Sequence, residues 1–232
     1  MNLTTQFDMR SLIFVLACGV SSTSSAFDSG STGADGGLTP IVNTTIQLPE
    51  NGLLNYTSIH IPAGVTLSFS KNTSNTPVTL LVSGDVNIEG SLNISGGHSA
   101  DTGAAGDGNV GDDSVAGIAG PGGFDGGRGG DIDAIGGSGL GPGGAAPSDY
   151  ICTRYSHVEA YNNGVGAGGG GYAVNGIQAN SSGACSTLPL AQGGPSYGSH
   201  NLLPIIGGSG GGGAHGGLIF KGSGGGGGGG AI

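Results

Sequence analysis

The run Gly117-Ile118-Ala119-Gly120-Pro121-Gly122-Gly123-Phe124-Asp125-Gly126-Gly127-Arg128-Gly129 places glycine at every third position, at 117, 120, 123, 126 and 129. Three is the period of the polyproline II helix, and a glycine at each third residue lets neighbouring chains approach along one side. At about 3.1 Å per residue this run alone would reach roughly 40 Å. Similar glycine-dense stretches recur at 102–111, 135–145, 164–171, 207–217 and 222–230. From Gly96 onwards glycine fills 47 of 137 positions, against 8 of 69 between Phe27 and Ser95. A region so poor in side chains cannot build an ordinary core. It is either disordered or packs backbone against backbone.

Composition by itself favours disorder. Ordering a residue costs about 1–2 kcal/mol of backbone entropy, and glycine loses the most. Three features favour an ordered bundle of polyproline II segments. The register of three is sustained, apolar anchors recur (Ile118, Phe124, Ile132, Ile135, Leu140), and a cysteine pair lies in the islands between the glycine stretches. Flexible Gly/Ser linkers lack such anchors. Collagen is excluded, because the triplets break at Ile132 and prolines are few.

Upstream the pattern changes to period two, the strand signal. Ile46–Leu48, Leu54–Ile61 and Val65–Phe69 alternate, Val78–Val82 is more continuously apolar, and Val86–Ile88 and Leu92–Ile94 complete the set. The breaks fall at turn formers: Pro49–Gly52, Pro62–Gly64, Ser83-Gly84 and Glu89-Gly90. Short strands separated by tight breaks predict rungs of a parallel β-solenoid, with Val86, Ile88, Leu92 and Ile94 pointing inward. A small antiparallel sandwich accommodates the same strands and ranks second.

At the N-terminus, Arg10 precedes an apolar run from Leu12 to Val20, and Ser24-Ser25-Ala26 gives a small-x-small exit. That is the form of a secretory signal peptide, cleaved after Ala26. The run is too short to span a bilayer, which takes about 20 residues, and no other segment is long enough to be transmembrane. Val15-Leu16-Ala17-Cys18 also fits a lipoprotein box, which makes lipid attachment at Cys18 a minor alternative. The expected organisation is a signal peptide at 1–26, an extended arm at 27–43, a β-strand domain at 44–95, a polyproline II region at 96–217, and a return strand (Leu218–Phe220) with a glycine-rich end at 218–232. The expected fold class is all-β, a short β-solenoid or β-sandwich followed by the glycine-rich bundle, with no helix after the signal peptide.

Beyond the leader the chain holds 4 basic and 14 acidic residues. So few cations cannot neutralise many phosphates, which argues against nucleic acid as a partner. The charge serves colloidal solubility and offers some affinity for divalent cations. Two cysteines remain, Cys152 and Cys185, and an isolated pair in an exported chain usually forms a disulfide. Two free buried thiols are the alternative.

Motifs that carry chemistry fare poorly. Gly207-Gly208-Ser209-Gly210-Gly211 matches the G-x-S-x-G nucleophile elbow in form, but that motif has meaning only between a strand and a helix. The G-x-G-x-x-G matches have no helix N-terminus to hold a pyrophosphate. Asp131 sits in a partial copy of a calcium-binding nonapeptide, and Asp107, Asp112 and Asp113 offer further oxygen ligands. These four are weak calcium candidates, equally readable as solvated acids. His60, His98, His157, His200 and His215 lack metal spacing. No catalytic residue, cofactor-binding residue or cofactor is expected.

Phe27–Gly36, Leu48-Pro49, Ile61–Val65, Gly84–Val86 and Gly120–Gly127 together resemble a group of exported bacterial glycine-rich proteins of largely unassigned function. The resemblance spans most of the chain after the leader and brings no activity with it. In architecture alone the glycine-rich part is similar to the polyproline II bundle of the snow flea antifreeze protein and to the glycine-rich tips of phage adhesins. The expectation is a non-enzymatic exported structural or adhesive surface protein that self-associates into fibres. The alternative is an extracellular module that binds a surface glycan, a receptor or ice.

Overall fold

A computed structural model of the chain describes residues 27–99, 115–149, 167–180, 189–199, 201–217 and 221–232. The leader with Cys18 and Ala26, the acids Asp107, Asp112 and Asp113, the pair Cys152 and Cys185, and Leu218–Phe220 lie outside the described residues.

The described residues contain no helix and eight short strands: β1 (Gly37–Leu38), β2 (Thr44–Gln47), β3 (Leu53–Tyr56), β4 (Ser58–Ile61), β5 (Thr66–Ser70), β6 (Thr79–Val82), β7 (Val86–Ile88) and β8 (Ser91–Asn93). Each pairs with the strand three places along the chain. The sheets read β1-β4-β7, β2-β5-β8 and β3-β6, and every described pair is parallel. An antiparallel sandwich does not have this pairing.

Parallel pairing in register stacks like on like. Thr44 to Gln47 lie against Leu67 to Ser70, which puts Ile46 over Phe69. Leu54 and Tyr56 lie against Leu80 and Val82. The apolar member of each alternation turns into one core of Leu48, Leu54, Tyr56, Ile59, Ile61, Val65, Leu67, Phe69 and Val78. The run Leu54–Ile61, which reads as one strand by alternation, is two strands with a corner at Thr57. The signal was in the spacing. Leu54 and Tyr56 are two apart, as are Ile59 and Ile61, but Tyr56 and Ile59 are three apart, so both pairs face inward only if the chain turns between them.

Turns close on their own chemistry. Gly52 has φ +69°, and a Cβ there would lie 2.3 Å from the Pro77 carbonyl oxygen, so this corner requires glycine twice over. Asn72 is buried; its amide donates to the Pro49 carbonyl and the Thr76 hydroxyl, and its Oδ1 accepts the Thr76 N–H. The N-terminal arm is bound along β3: Asp35 N–H donates to the Asn55 carbonyl, Asn55 N–H to Asp35 Oδ2, and Ser31 Oγ to the Tyr56 carbonyl.

At the far end, Val86 and Ile88 pair with Ile59 and Ile61 and so share their inward direction. Yet Val86 is 53% and Ile88 42% exposed, where Ile59 and Ile61 are 2% and 0%. The inward expectation holds in direction but not in burial, because no described strand stacks on the outer side of β7.

The glycine-rich residues follow a second packing rule. Successive segments exchange backbone hydrogen bonds at intervals of three. Phe124, Gly127, Gly130 and Asp133 donate to the carbonyls of Gly208, Gly211, Ala214 and Gly217. Gly210, Gly213 and Gly216 donate to Leu140, Gly137 and Ala134. Between these contacts the chains lie too close for side chains: a Cβ at Gly126 would sit 1.9 Å from the Gly225 oxygen, and one at Gly213 1.9 Å from the Arg128 oxygen. The buried side chains here include Pro121, Ala119, Ala145, Ala179, Ser148 and Ser209. Of the five apolar residues read as anchors, Phe124 is half-buried with its ring beside Gly141, and the other four do not serve that role. Ile118, Ile132, Ile135 and Leu140 are exposed, since the separation that admits a bare backbone leaves no room for a branched side chain.

The two regions meet beside β6. The Asn75 amide donates to the Gly123 carbonyl and its Oδ1 accepts the Gly122 N–H. Val78 N–H donates to Ala231, and Gly230 N–H to Ile94.

Candidate functional site

Ser209, the elbow serine, is buried within a glycine segment. Its Oγ accepts the Gly143 N–H at 2.9 Å and shares a hydrogen bond with the Tyr197 phenol. Burial pushes the Tyr197 phenol up, and the Ser209 hydroxyl offsets only part of that. Tyr197 also donates to the Gly207 carbonyl and packs edge-on against Tyr172, ring centres 5.3 Å apart. The hydroxyl chemistry here holds backbone in place.

The metal candidates are not brought together. Asp131 is exposed and faces Lys221 at 3.5 Å, while its three companions lie outside the described residues. Among the described residues, no group of three or more His, Cys, Asp or Glu converges on a point. His60 shares an Asn87 hydrogen bond across β4 and β7, and His215 Nδ1 contacts the Gly216 carbonyl.

One ion pair joins the strand and glycine-rich regions. Lys71 Nζ lies 2.8 Å from Asp125 Oδ1, which also accepts the Ala119 N–H at 2.7 Å. Burial works to raise the Asp125 pKa, but the Ala119 N–H and the Lys71 ammonium together outweigh it and lower it below 3.8. A depressed carboxyl stabilises the fold above its unfolded pKa and loses that stabilisation as pH falls through the folded value. The junction is therefore expected to weaken progressively below about pH 3.8. Thermal unfolding of the parent and of Asp125→Asn should differ at neutral pH and converge in acid; a constant gap between them would refute this.

What the structure offers as a site is a groove of about 640 Å³ lined by Ala167–Gly170, Ser209, Gly211, Gly212, Ala214 and Ser223–Gly227. It lies between residues 167–172 and 221–231, with 207–217 as its floor. Its walls carry no charged side chain, so whatever binds there meets backbone N–H and C=O groups. Sequence reasoning missed it, because a groove between three glycine segments depends on which segments become neighbours. The one available cue was the interruption of glycine by Ala214 and Ser223.

No helix of the described residues is long and apolar enough to cross a membrane. Comparisons with protein families, with characterised proteins and with solved structures find no match to this chain.

Proposed function

We propose that this chain is a non-enzymatic, exported structural or adhesive surface protein that associates with its own copies. The reading takes the strands as a short parallel β-solenoid, supported by pairing between strands three apart. It takes the glycine-rich residues as a polyproline II bundle, supported by hydrogen bonds at intervals of three. The observation that carries self-association is the open end of the strand stack, where the inward-facing Val86 and Ile88 are left exposed on β7. An uncovered apolar row beside an unpaired strand edge is a template for another chain, and a head-to-tail contact that does not close propagates into a fibre.

Sedimentation and electron microscopy of the chain without residues 1–26 test this. Oligomers that grow with concentration are expected. Replacing Val86 and Ile88, which are 53% and 42% exposed, by lysine should abolish that growth while the chain stays folded. A parent that stays monomeric at every concentration would refute the proposal.

A second reading, a binding module displayed on the glycine-rich face, is favoured by Val174 and Ile177. Both are large apolar residues left exposed, at 74% and 84%. Glycan-array and thermal-hysteresis measurements test it.

A further inference from the structure

We propose that the groove between residues 167–172 and 221–231 receives an extended glycine-rich strand from a second copy of this chain. The proposal rests on the self-association and bundle readings above and identifies a contact separate from β7.

Around residues 207–217 the neighbouring segments form a broken ring. The 221–231 segment bonds to 123–133 through Gly222, Gly225 and Gly228. The 123–133 segment accepts from Gly137 and Leu140, and Gly139 donates to Ala145 in 142–149. That segment accepts in turn from Gly168 and Gly171. All five neighbours also bond to 207–217 itself. Among the described residues no hydrogen bond joins the last neighbour, 167–172, to the first, 221–231. The groove lies at that break. Five neighbours are in place where parallel rods in close packing have six.

The vacant position is chemically defined. On the floor, the carbonyls of Gly208, Gly211 and Ala214 accept from 123–133, and those of Gly210 and Gly213 accept from Ala145 and Ser148. The third set, Ser209, Gly212 and His215, accepts from no described donor. On one wall, Gly222, Gly225 and Gly228 donate to 123–133, and Gly227 and Gly230 donate to Gly97 and Ile94. Again the third set, Ser223, Gly226 and Gly229, has no described acceptor. On the other wall Gly168 and Gly171 donate to 142–149, and Gly169 donates to Ile177. Gly170 is left over.

The unused groups thus recur every third residue on the floor and on one wall, and the other wall adds Gly170. A strand lying there would accept from Gly170, Gly226 and Gly229 and donate to Ser209, Gly212 and His215. At about 3.1 Å per residue the carbonyl row is roughly 19 Å long.

Steric space follows the same register. A Cβ at Gly210, Gly225 or Gly228 would meet a backbone oxygen at 2.0, 2.1 or 1.9 Å. At Gly211 the nearest atom is 3.4 Å away, at Gly226 3.9 Å, and at Gly229 there is nothing within 4 Å. The rows 208-211-214 and 223-226-229 already carry real side chains at Ala214 and Ser223. These glycines are not needed to pack the molecule's own described segments. They leave the groove bare for a backbone.

The uncharged walls recognise spacing. The fitting ligand is an extended chain with a small residue every third position, the pattern of the glycine-dense stretches from which a second copy is also built.

The test uses the full chain after the leader. Gly211→Leu places a side chain on the floor of the groove and Gly226→Leu one on its wall, and a Cβ at either position meets no atom closer than 3.4 Å. Each should keep the parent melting temperature and raise the apparent dissociation constant of the oligomer at least about tenfold. In the parent, the amides of Gly170, Gly226 and Gly229 should exchange freely when dilute and become protected at least about tenfold on association. Two results would overturn the proposal. One is protection of these amides already in the dilute monomer, which would mean that the chain's own residues cover the groove. The other is unchanged association of both leucine variants; if Val86 and Ile88 to lysine then abolished association, self-association would stand and the groove would not. A parent that never associates would overturn both readings.

Discussion

Gly129→Ala is expected to melt the glycine-rich half of the molecule, whereas Gly226→Ala is expected to leave it folded. The two changes add the same methyl group to the same kind of segment. At Gly129 the new carbon would sit 1.7 Å from the Gly222 carbonyl oxygen and 2.5 Å from its carbon. Both atoms belong to backbone, so no rotamer change relieves the overlap. The chains must part, and doing so breaks the adjacent Gly222 to Gly130 and Gly130 to Ala214 bonds at 2.7 and 2.8 Å. Separated carbonyls and amides between these segments are then left without partners, at about 1–3 kcal/mol each. The loss should exceed about 4 kcal/mol, a large share of the 5–15 kcal/mol typical of a whole domain.

At Gly226 the nearest atom is 3.9 Å away and the backbone is outside the left-handed region. Alanine there mainly restricts the unfolded chain, which stabilises by about 0.4–1 kcal/mol. Urea unfolding of the two variants, followed by hydrogen exchange across residues 117–130, separates these outcomes. Equal stability of the pair would mean that close backbone packing does not hold this region together.

The strand half was legible in the sequence because its code is local. Alternation at Val65–Phe69 and turn formers at Pro49–Gly52 and Pro62–Gly64 mark elements whose partners lie three strands along the chain; β5 falls within one residue of the pattern and β2 overlaps it at Ile46 and Gln47. The corner at Thr57 and the two-residue β1 were missed, the first because alternation looks continuous across it, the second because Gly37-Leu38 is too short to show a period.

In the glycine-rich half the interval of three was legible in Gly117–Gly129, and the hydrogen bonds keep that interval. The partners were not legible. Each segment displays the same backbone groups, so nothing in the sequence says that 123–133 should lie beside both 207–217 and 221–231. The misreading of Ile118, Ile132, Ile135 and Leu140 as anchors has the same root. In a side-chain core, apolar residues mark the inside. Where glycine sets the spacing, the inside is marked by the absence of a side chain, and apolar residues are driven out. The open groove was invisible for the further reason that a missing neighbour leaves no trace in the segments that flank it.

Deleting residues 221–232 should have the second largest effect, and its pattern distinguishes a cooperative bundle from a set of independent strands. This segment bonds to Ile94 and Gly97, to Gly117 and Gly120, to 124–130, and to Gly208, Gly211 and Ala214. At Ala231 it also accepts from Val78 and donates to Pro121. It therefore ties the first glycine segment to the central one and both to the edge of β6. Without it, residues 115–122 lose the Gly225 and Gly228 acceptors, and 207–217 keeps only four of its five neighbours.

The remaining contacts are short and purely backbone, each worth only about 0.5–1.5 kcal/mol net. They must hold glycine, the residue with the most entropy to lose. The strand core has its own apolar contacts among Leu54, Ile59, Ile61, Leu67 and Phe69 and does not depend on the deleted segment for them. The expected result is loss of amide protection across 117–130 and 207–217 with protection retained in β4 and β5, and a fall in the urea m-value as less surface remains to be exposed. Retained protection at 207–217 would mean that its neighbours hold it independently. Loss of protection in β4 and β5 as well would mean that the two packing systems fold as one unit, with the contacts at Asn75, Val78 and Asp125 carrying more of the strand region's stability than its own core.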